Sequence, residues 1–270
     1  MARPRRERAK AAISATAGRF MANLAGRPAV RILLYHAVGG DSGAGVSRYR
    51  VPADLFEAQI ALLARENYPV IGLDAVVVGL EDGSGWPDRA VAITFDDGYQ
   101  SVFRNALPLL KRFGFPAAVY VVPGYCLRGG EPFDDLLSNE EPMAPDELAS
   151  LASEGWTVGS HSMTHRRLSS FEAETAMHEL VESRRRLADL VGRPIDHFSF
   201  PHGDWTTELV AQARRAGYRS SATSREGANR LTDSPWMLKR IEITPWDTLT
   251  VFRRKLDGWY DWLGRLRGPR

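Results

Sequence analysis

Cysteine is almost missing from this sequence: Cys126 is the single one in 270 residues. That excludes an internal disulfide and any zinc site built on clustered thiolates. No charge-free apolar run of 18 residues exists either, so no membrane-spanning helix is expected. Internal repeats and low-complexity tracts are absent. An uninterrupted leader-type apolar stretch is wanting too. Residues 11–26 are mildly apolar, but Arg19 and Asn23 break them, and Arg5-Arg6 runs into Glu7, a weak twin-arginine pattern. The location this implies is cytoplasmic, or peripheral at the cytoplasmic membrane. What is present is ordinary for a globular chain: 44% apolar and 25% charged residues. The length suits one large domain that buries its core without staples.

Charge is unevenly placed. Residues 1–28 hold seven basic side chains against Glu7, a net +6, and residues 253–270 hold six against Asp257 and Asp261, a net +4. With a total of +2, residues 29–252 carry −8. An acidic body is a poor nucleic-acid surface, so no nucleic-acid partner is expected. The basic ends suit peripheral contact with an anionic membrane, and segment 1–28 reads as a tail or as a basic, amphipathic surface helix. The domain proper is taken as 29–270.

From residue 29 short β-rich runs alternate with helical stretches. Strands are predicted over 30–35, 90–95, 116–122, 157–160, 197–200, 218–222 and 239–243. Helices are predicted over 52–65, 99–113, 146–153, 171–191 (capped by Ser169 or Ser170), 205–216 and 249–266. Residues 123–144, rich in proline and glycine, read as a long loop. About seven β/α units with no break between them predict an α/β fold, a parallel (β/α) barrel whose chemistry sits at the C-terminal strand ends.

Three of those ends carry reactive side chains. Thr94-Phe95-Asp96-Asp97-Gly98 sets two carboxylates side by side, which is costly unless a cation is near. Alone, Asp-Asp-Gly is equally a helix-capping turn. Ser160-His161-Ser162-Met163-Thr164-His165 places two imidazoles four residues apart; alone, two unrelated surface histidines would look the same. With Asp97 they make a two-histidine, one-carboxylate set suited to a hydrolytic metal with open positions. Phe198-Ser199-Phe200-Pro201-His202-Gly203 ends another strand, where a turn could present a backbone N–H as an oxyanion donor. A fourth end, Tyr35-His36, closes the first strand. His178 lies in a charged helix and His197 opens a strand, so neither suggests chemistry.

In order, spacing and strand context, TFDDG, SHSMTH and FPHG over residues 90–222 resemble the polysaccharide deacetylase family, carbohydrate esterase family 4, the NodB-homology domain. The resemblance implies a distorted (β/α) barrel that removes acetyl groups from sugars with a divalent metal. Zn2+ is the usual ion, and the same donors accept Co2+, Ni2+ or Mn2+. It implies Asp96 as general base, Asp97, His161 and His165 as metal ligands, and the His202 backbone at the oxyanion. Two features depart from the family pattern. Ser199 stands where an arginine is usual, and the late Leu-x-His motif is absent, since no histidine follows His202. Exopolysaccharide-processing members open with a similar Tyr-His, which implies His36 as the general acid. Elimination agrees, since a metal-bound imidazole cannot be that donor, leaving His36 ahead of His202.

The expected reaction is metal-dependent hydrolysis of an N-acetyl group on a sugar of a polysaccharide or lipid-linked glycan precursor. Alternatives are deacylation of a small amide, an O-acetyl sugar esterase, and a degenerate carbohydrate-binding protein. A metal-free glycosidase needs carboxyl groups farther apart than neighbours provide and leaves the histidines unused. Trp205 and Trp246, near candidate loops, suit stacking on sugar rings, though core packing explains tryptophan equally.

Overall fold

The computed structural model describes residues 4–14, 29–39, 47–127 and 140–266. Its centre is a curled sheet of seven parallel strands: β1 (Arg31–Tyr35), β4 (Val91–Phe95), β5 (Ala118–Val121), β6 (Thr157–Ser160), β7 (His197–Ser199), β8 (Ser220–Ala222) and β9 (Arg240–Glu242). The order is β8-β7-β6-β5-β4-β1-β9. These are the seven expected strands. The two edges meet through one parallel bridge, Ala222 with Leu238, so the ring is a distorted barrel with a weak seam. A separate short pair, β2 (Ala37–Val38) and β3 (Arg50–Val51), lies beyond β1 and was not expected.

Strand alternation divides the side chains between two cores. Ile32, Ala92, Ala118, Tyr120 and Ala222 are fully buried in one cluster with Leu238; their neighbours Leu33, Ile93, Val119 and Val121 belong to the larger one. That larger cluster includes the buried side chains of the helices Ala53–Arg65, Leu107–Phe113, Pro145–Ser153 and Ala173–Val191. The first cluster is completed by Leu73, Val76 and Val77 of the helix Leu73–Glu81. No element was expected there: Leu73-Asp74-Ala75-Val76-Val77-Val78 is rich in β-branched residues, which have low helix propensity, and tertiary packing decides its form.

Other differences are local. The helix Ala173–Val191 starts after Glu172, not after Ser169 or Ser170; Ser170 lies in a short 3₁₀ turn. The last predicted helix divides into Leu249–Leu256 and a 3₁₀ segment Asp261–Leu266 around Gly258, which takes φ 83°. The loop expected from 123 opens as a short helix, Pro123–Cys126, while 128–139 lie outside the described residues. A helix forms over Arg5–Ile13, and its apolar residues do not gather on one face; residues 15–28 of that segment lie outside the described residues. The helix is tied to the other end of the chain by Trp262 Nε1, which donates to Ser14 Oγ at 3.1 Å.

Candidate active site

Register and alternation build the site. Tyr35 pairs with Phe95, and Asp96 N donates to Tyr35 O at 2.9 Å, which sets His36 and Asp96 side by side at the barrel mouth. Counting in twos from the inward residues Ile32 and Ala92 reaches His36 and Asp96. Asp97 would then point outward. Its φ of 75° instead turns the chain in the left-handed region, and Gly98 follows at 73°. A Cβ on Gly98 would crowd Val121 on the neighbouring strand, so this tight turn needs glycine.

The same device recurs at β6. His161 N donates to Val121 O at 2.8 Å, extending the β5–β6 ladder by one residue. Beyond it the chain leaves the strand without forming a helical turn. Ser162 and His165 take φ of 63° and 60°, and the loop folds back.

Asp97, His161 and His165 thereby converge: their candidate ligand atoms all lie within 4.8 Å of one another, and all three residues are buried. Asp97 Oδ1 is 3.5 Å from His161 Nε2 and 3.3 Å from His165 Nε2. His161 Nδ1 lies 2.7 Å from Ser199 O. A carbonyl only accepts, so Nδ1 carries the proton and the Nε2 lone pair faces Asp97. Burial drives the His161 imidazole down to about 4, which keeps it neutral at ordinary pH. Asp97 Oδ2 is buried with no hydrogen-bond partner. An orphaned carboxylate oxygen beside two inward nitrogens fits a divalent cation of the zinc type.

Asp96 has a different environment. Arg240, fully buried on β9, grips its carboxylate with both arms: Nη1 to Oδ1 at 2.6 Å and Nη2 to Oδ2 at 2.8 Å. Nη2 also donates to Ser199 Oγ at 2.9 Å, Ser199 Oγ to Asp96 Oδ2 at 3.4 Å, and Arg240 Nε to Thr223 O at 3.0 Å. Burial by itself would raise Asp96; the Arg240 charge and its hydrogen bonds outweigh it and hold the carboxyl below its ordinary value. Sequence reasoning missed Arg240. The available signal was a charged residue at an inward position of a buried strand, in the same chain whose Ser199 replaces the usual arginine.

His36 is buried against Tyr49, ring centroids 4.7 Å apart, and its Nδ1 has no hydrogen-bond partner. Asp247 is held by Lys255 and the Thr244 backbone: its Oδ2 accepts from Lys255 Nζ at 2.7 Å and from Thr244 N at 2.7 Å. Asp134 lies outside the described residues. His202 takes φ 58° after the end of β7; its ring lies tilted against that of His165, centroids 4.6 Å apart, and its Nε2 lies 3.0 Å from His165 O, to which it can only donate. Trp205 and Trp246 are half-buried, and Arg225 sits 6.0 Å over the Trp205 ring. His178 is exposed, and His197 is buried at the opposite end of the barrel.

The profile of the family described as Polysaccharide deacetylase matches residues 84–221, just over half of the chain. YxkH of Bacillus subtilis (strain 168), named as a polysaccharide deacetylase, is 22% identical over 79% of this chain and 71% of its own length. The poly-beta-1,6-N-acetyl-D-glucosamine N-deacetylase of Staphylococcus aureus (strain MRSA252) is 23% identical over 80% of this chain and 75% of that protein. Among solved structures, the Streptococcus pyogenes deacetylase PplD in complex with acetate superposes with a TM-score of 0.76 at 21% identity, covering 85% of this chain and 99% of that one. IcaB from Ammonifex degensii gives 0.73 at 21% identity, covering 87% and 97%. With its DDG, HxxxH and FPHG turns gathered at one barrel mouth, the chain belongs to the polysaccharide deacetylase family and is a hydrolase of that class.

Proposed function

We propose that this enzyme removes N-acetyl groups from amino-sugar residues of a polysaccharide or its lipid-linked precursor, with a divalent metal held by Asp97, His161 and His165. The observation that carries this reading is the meeting of those three residues beside an ionised, arginine-clamped Asp96. The N-deacetylase name borne by the Staphylococcus aureus relative supports the choice of amide over ester.

A divalent ion at these ligands supplies Lewis acidity towards the acetyl carbonyl and the attacking water. The protein's own groups do the rest. Asp96 accepts the water proton, which requires the ionised carboxylate that Arg240 maintains. Ser199 and Arg240 fix its orientation, so that it meets water without rotamer loss. His36 protonates the departing amine, which is too basic to leave as an anion. His202 is the weaker candidate for that acid, because its Nε2–H is already spent on the His165 carbonyl; its backbone N–H lies in the turn suited to oxyanion donation.

Acetate release from N-acetylated oligosaccharides, measured against O-acetylated ones, tests this assignment. N-acetyl substrates should yield acetate and a free amine, and Asp96→Asn should lower turnover by about 10²–10⁴-fold. Turnover confined to O-acetyl esters would replace the amide reading with the esterase one.

A further inference from the structure

His161 and His165 stand at the two ends of a five-residue loop with no regular structure, and two of its residues occupy the left-handed region at non-glycine positions. Such a backbone persists only where its surroundings over-determine it. Much of that determination comes from one side chain. Glu179, on the helix Ala173–Val191, is buried. Its Oε2 accepts both Met163 N–H and Thr164 N–H at 2.9 Å, and its Oε1 accepts Thr164 Oγ1 at 2.9 Å. These three loop donors satisfy the carboxylate that burial has removed from water.

One helical turn further on the same face, Ser183 Oγ bonds Ser160 Oγ at 2.8 Å, immediately before His161. The helix therefore holds the chain on both sides of His161. Weaker contacts complete the cage: Tyr125 Oη donates to Thr164 O at 2.8 Å, His165 N to Ser162 Oγ at 3.0 Å and Gly124 N to Met163 O at 3.2 Å. A Cβ on Gly124 would collide with that Met163 carbonyl.

We infer that Glu179 is a positioning residue for the metal-ligand pair. Its carboxylate gathers two consecutive amides and a hydroxyl, and so fixes the turn that brings both imidazoles onto Asp97. The inference rests on the metal reading proposed above. Outer groups of this kind typically contribute about 10–100-fold to metal affinity.

The test is titration of the metal-stripped full chain with Co2+, following the visible d–d absorption, with affinity set by chelator competition. Wild type, Asp97→Ala, Glu179→Gln and Thr164→Val are compared. Glu179→Gln should keep the native circular dichroism but bind Co2+ about 10–100-fold more weakly, with a displaced d–d band. Thr164→Val loses one of the three bonds and keeps the carboxylate; it should weaken binding a few-fold, and it decides the matter if Gln at 179 prevents folding. A purely structural Glu179 would lower the melting temperature and leave band and affinity at wild-type values in both variants, which overturns the inference alone. Wild type indistinguishable from Asp97→Ala would overturn it together with the metal reading.

Discussion

At the scale of single residues, Asp96 and Asp97 are neighbours whose surroundings differ, and the proposed function gives them different tasks. Asp97 faces two imidazoles and keeps an oxygen unpartnered, whereas Asp96 is clamped by a bidentate arginine. A guanidinium fork is not interchangeable with an ammonium. Arg240→Lys should therefore let the Asp96 carboxyl rise toward the ordinary carboxylate range and cut kcat/KM. An NMR titration of Asp96 in the metal-free protein checks this, and an unmoved midpoint would show that the clamp does not set its ionisation. His36 makes a second claim at this scale. His36→Ala should retain metal and lose N-acetyl hydrolysis, yet lose much less on an acetate ester with a phenolate leaving group, which departs without a proton. Equal losses on both substrates would reassign His36 to positioning.

Much of this chemistry was legible in the sequence because its residues cluster in short motifs at strand ends: Asp96, Asp97, His161, His165 and His202 each sit within a few residues of a turn. Arg240 and Glu179 were not legible. One lies about 140 residues from the carboxylate it grips, and the other reads as one more acid in a charged helix. Only the barrel's closure and the helix's docking bring them to the site.

At the scale of elements, the clearest addition is the helix Leu73–Glu81, which joins the inward core opposite the active site. Asp74 in its first turn reaches His197 Nε2 at 3.0 Å and accepts from Thr157 Oγ1 at 2.6 Å, while His197 Nδ1 meets Ser220 Oγ at 2.8 Å. Serine, histidine and aspartate here echo a hydrolase triad. Ser220 is completely buried, so no substrate reaches it, and the trio instead fastens the helix to β6, β7 and β8. The hydrogen bond from His197 outweighs burial and lowers Asp74 from 3.8 to about 2. A carboxyl depressed on folding stabilises above its unfolded pKa and loses that contribution as pH falls through the folded value. Asp74→Asn should therefore lower the denaturation midpoint at about pH 6, and the gap from wild type should narrow steadily below about pH 4. A gap independent of pH would deny the carboxylate this role. This helix was hidden in the sequence because three consecutive valines favour extended structure, and only burial of Leu73, Val76 and Val77 against the barrel interior overrides them.

At the scale of the whole molecule, the parallel barrel explains why the reactive groups meet at all. Parallel strands bring every C-terminal end to one mouth, and strand alternation sends every second side chain inward. Residues contributed by β1, β4, β6, β7 and β9 thus form one centre from segments spread over 200 positions. The seam at Ala222 and Leu238 lies close to Arg240, so the strand completing the ring also carries the arginine that clamps Asp96. In the proposed function metal and activity are inseparable. Measuring bound metal and acetate release on the same preparation, before and after chelation, addresses that directly. The account predicts one equivalent of metal per chain, loss of metal and of N-acetyl hydrolysis together on chelation, return of both with Zn2+, and neither in Asp97→Ala. Undiminished acetate release from the stripped enzyme would contradict it.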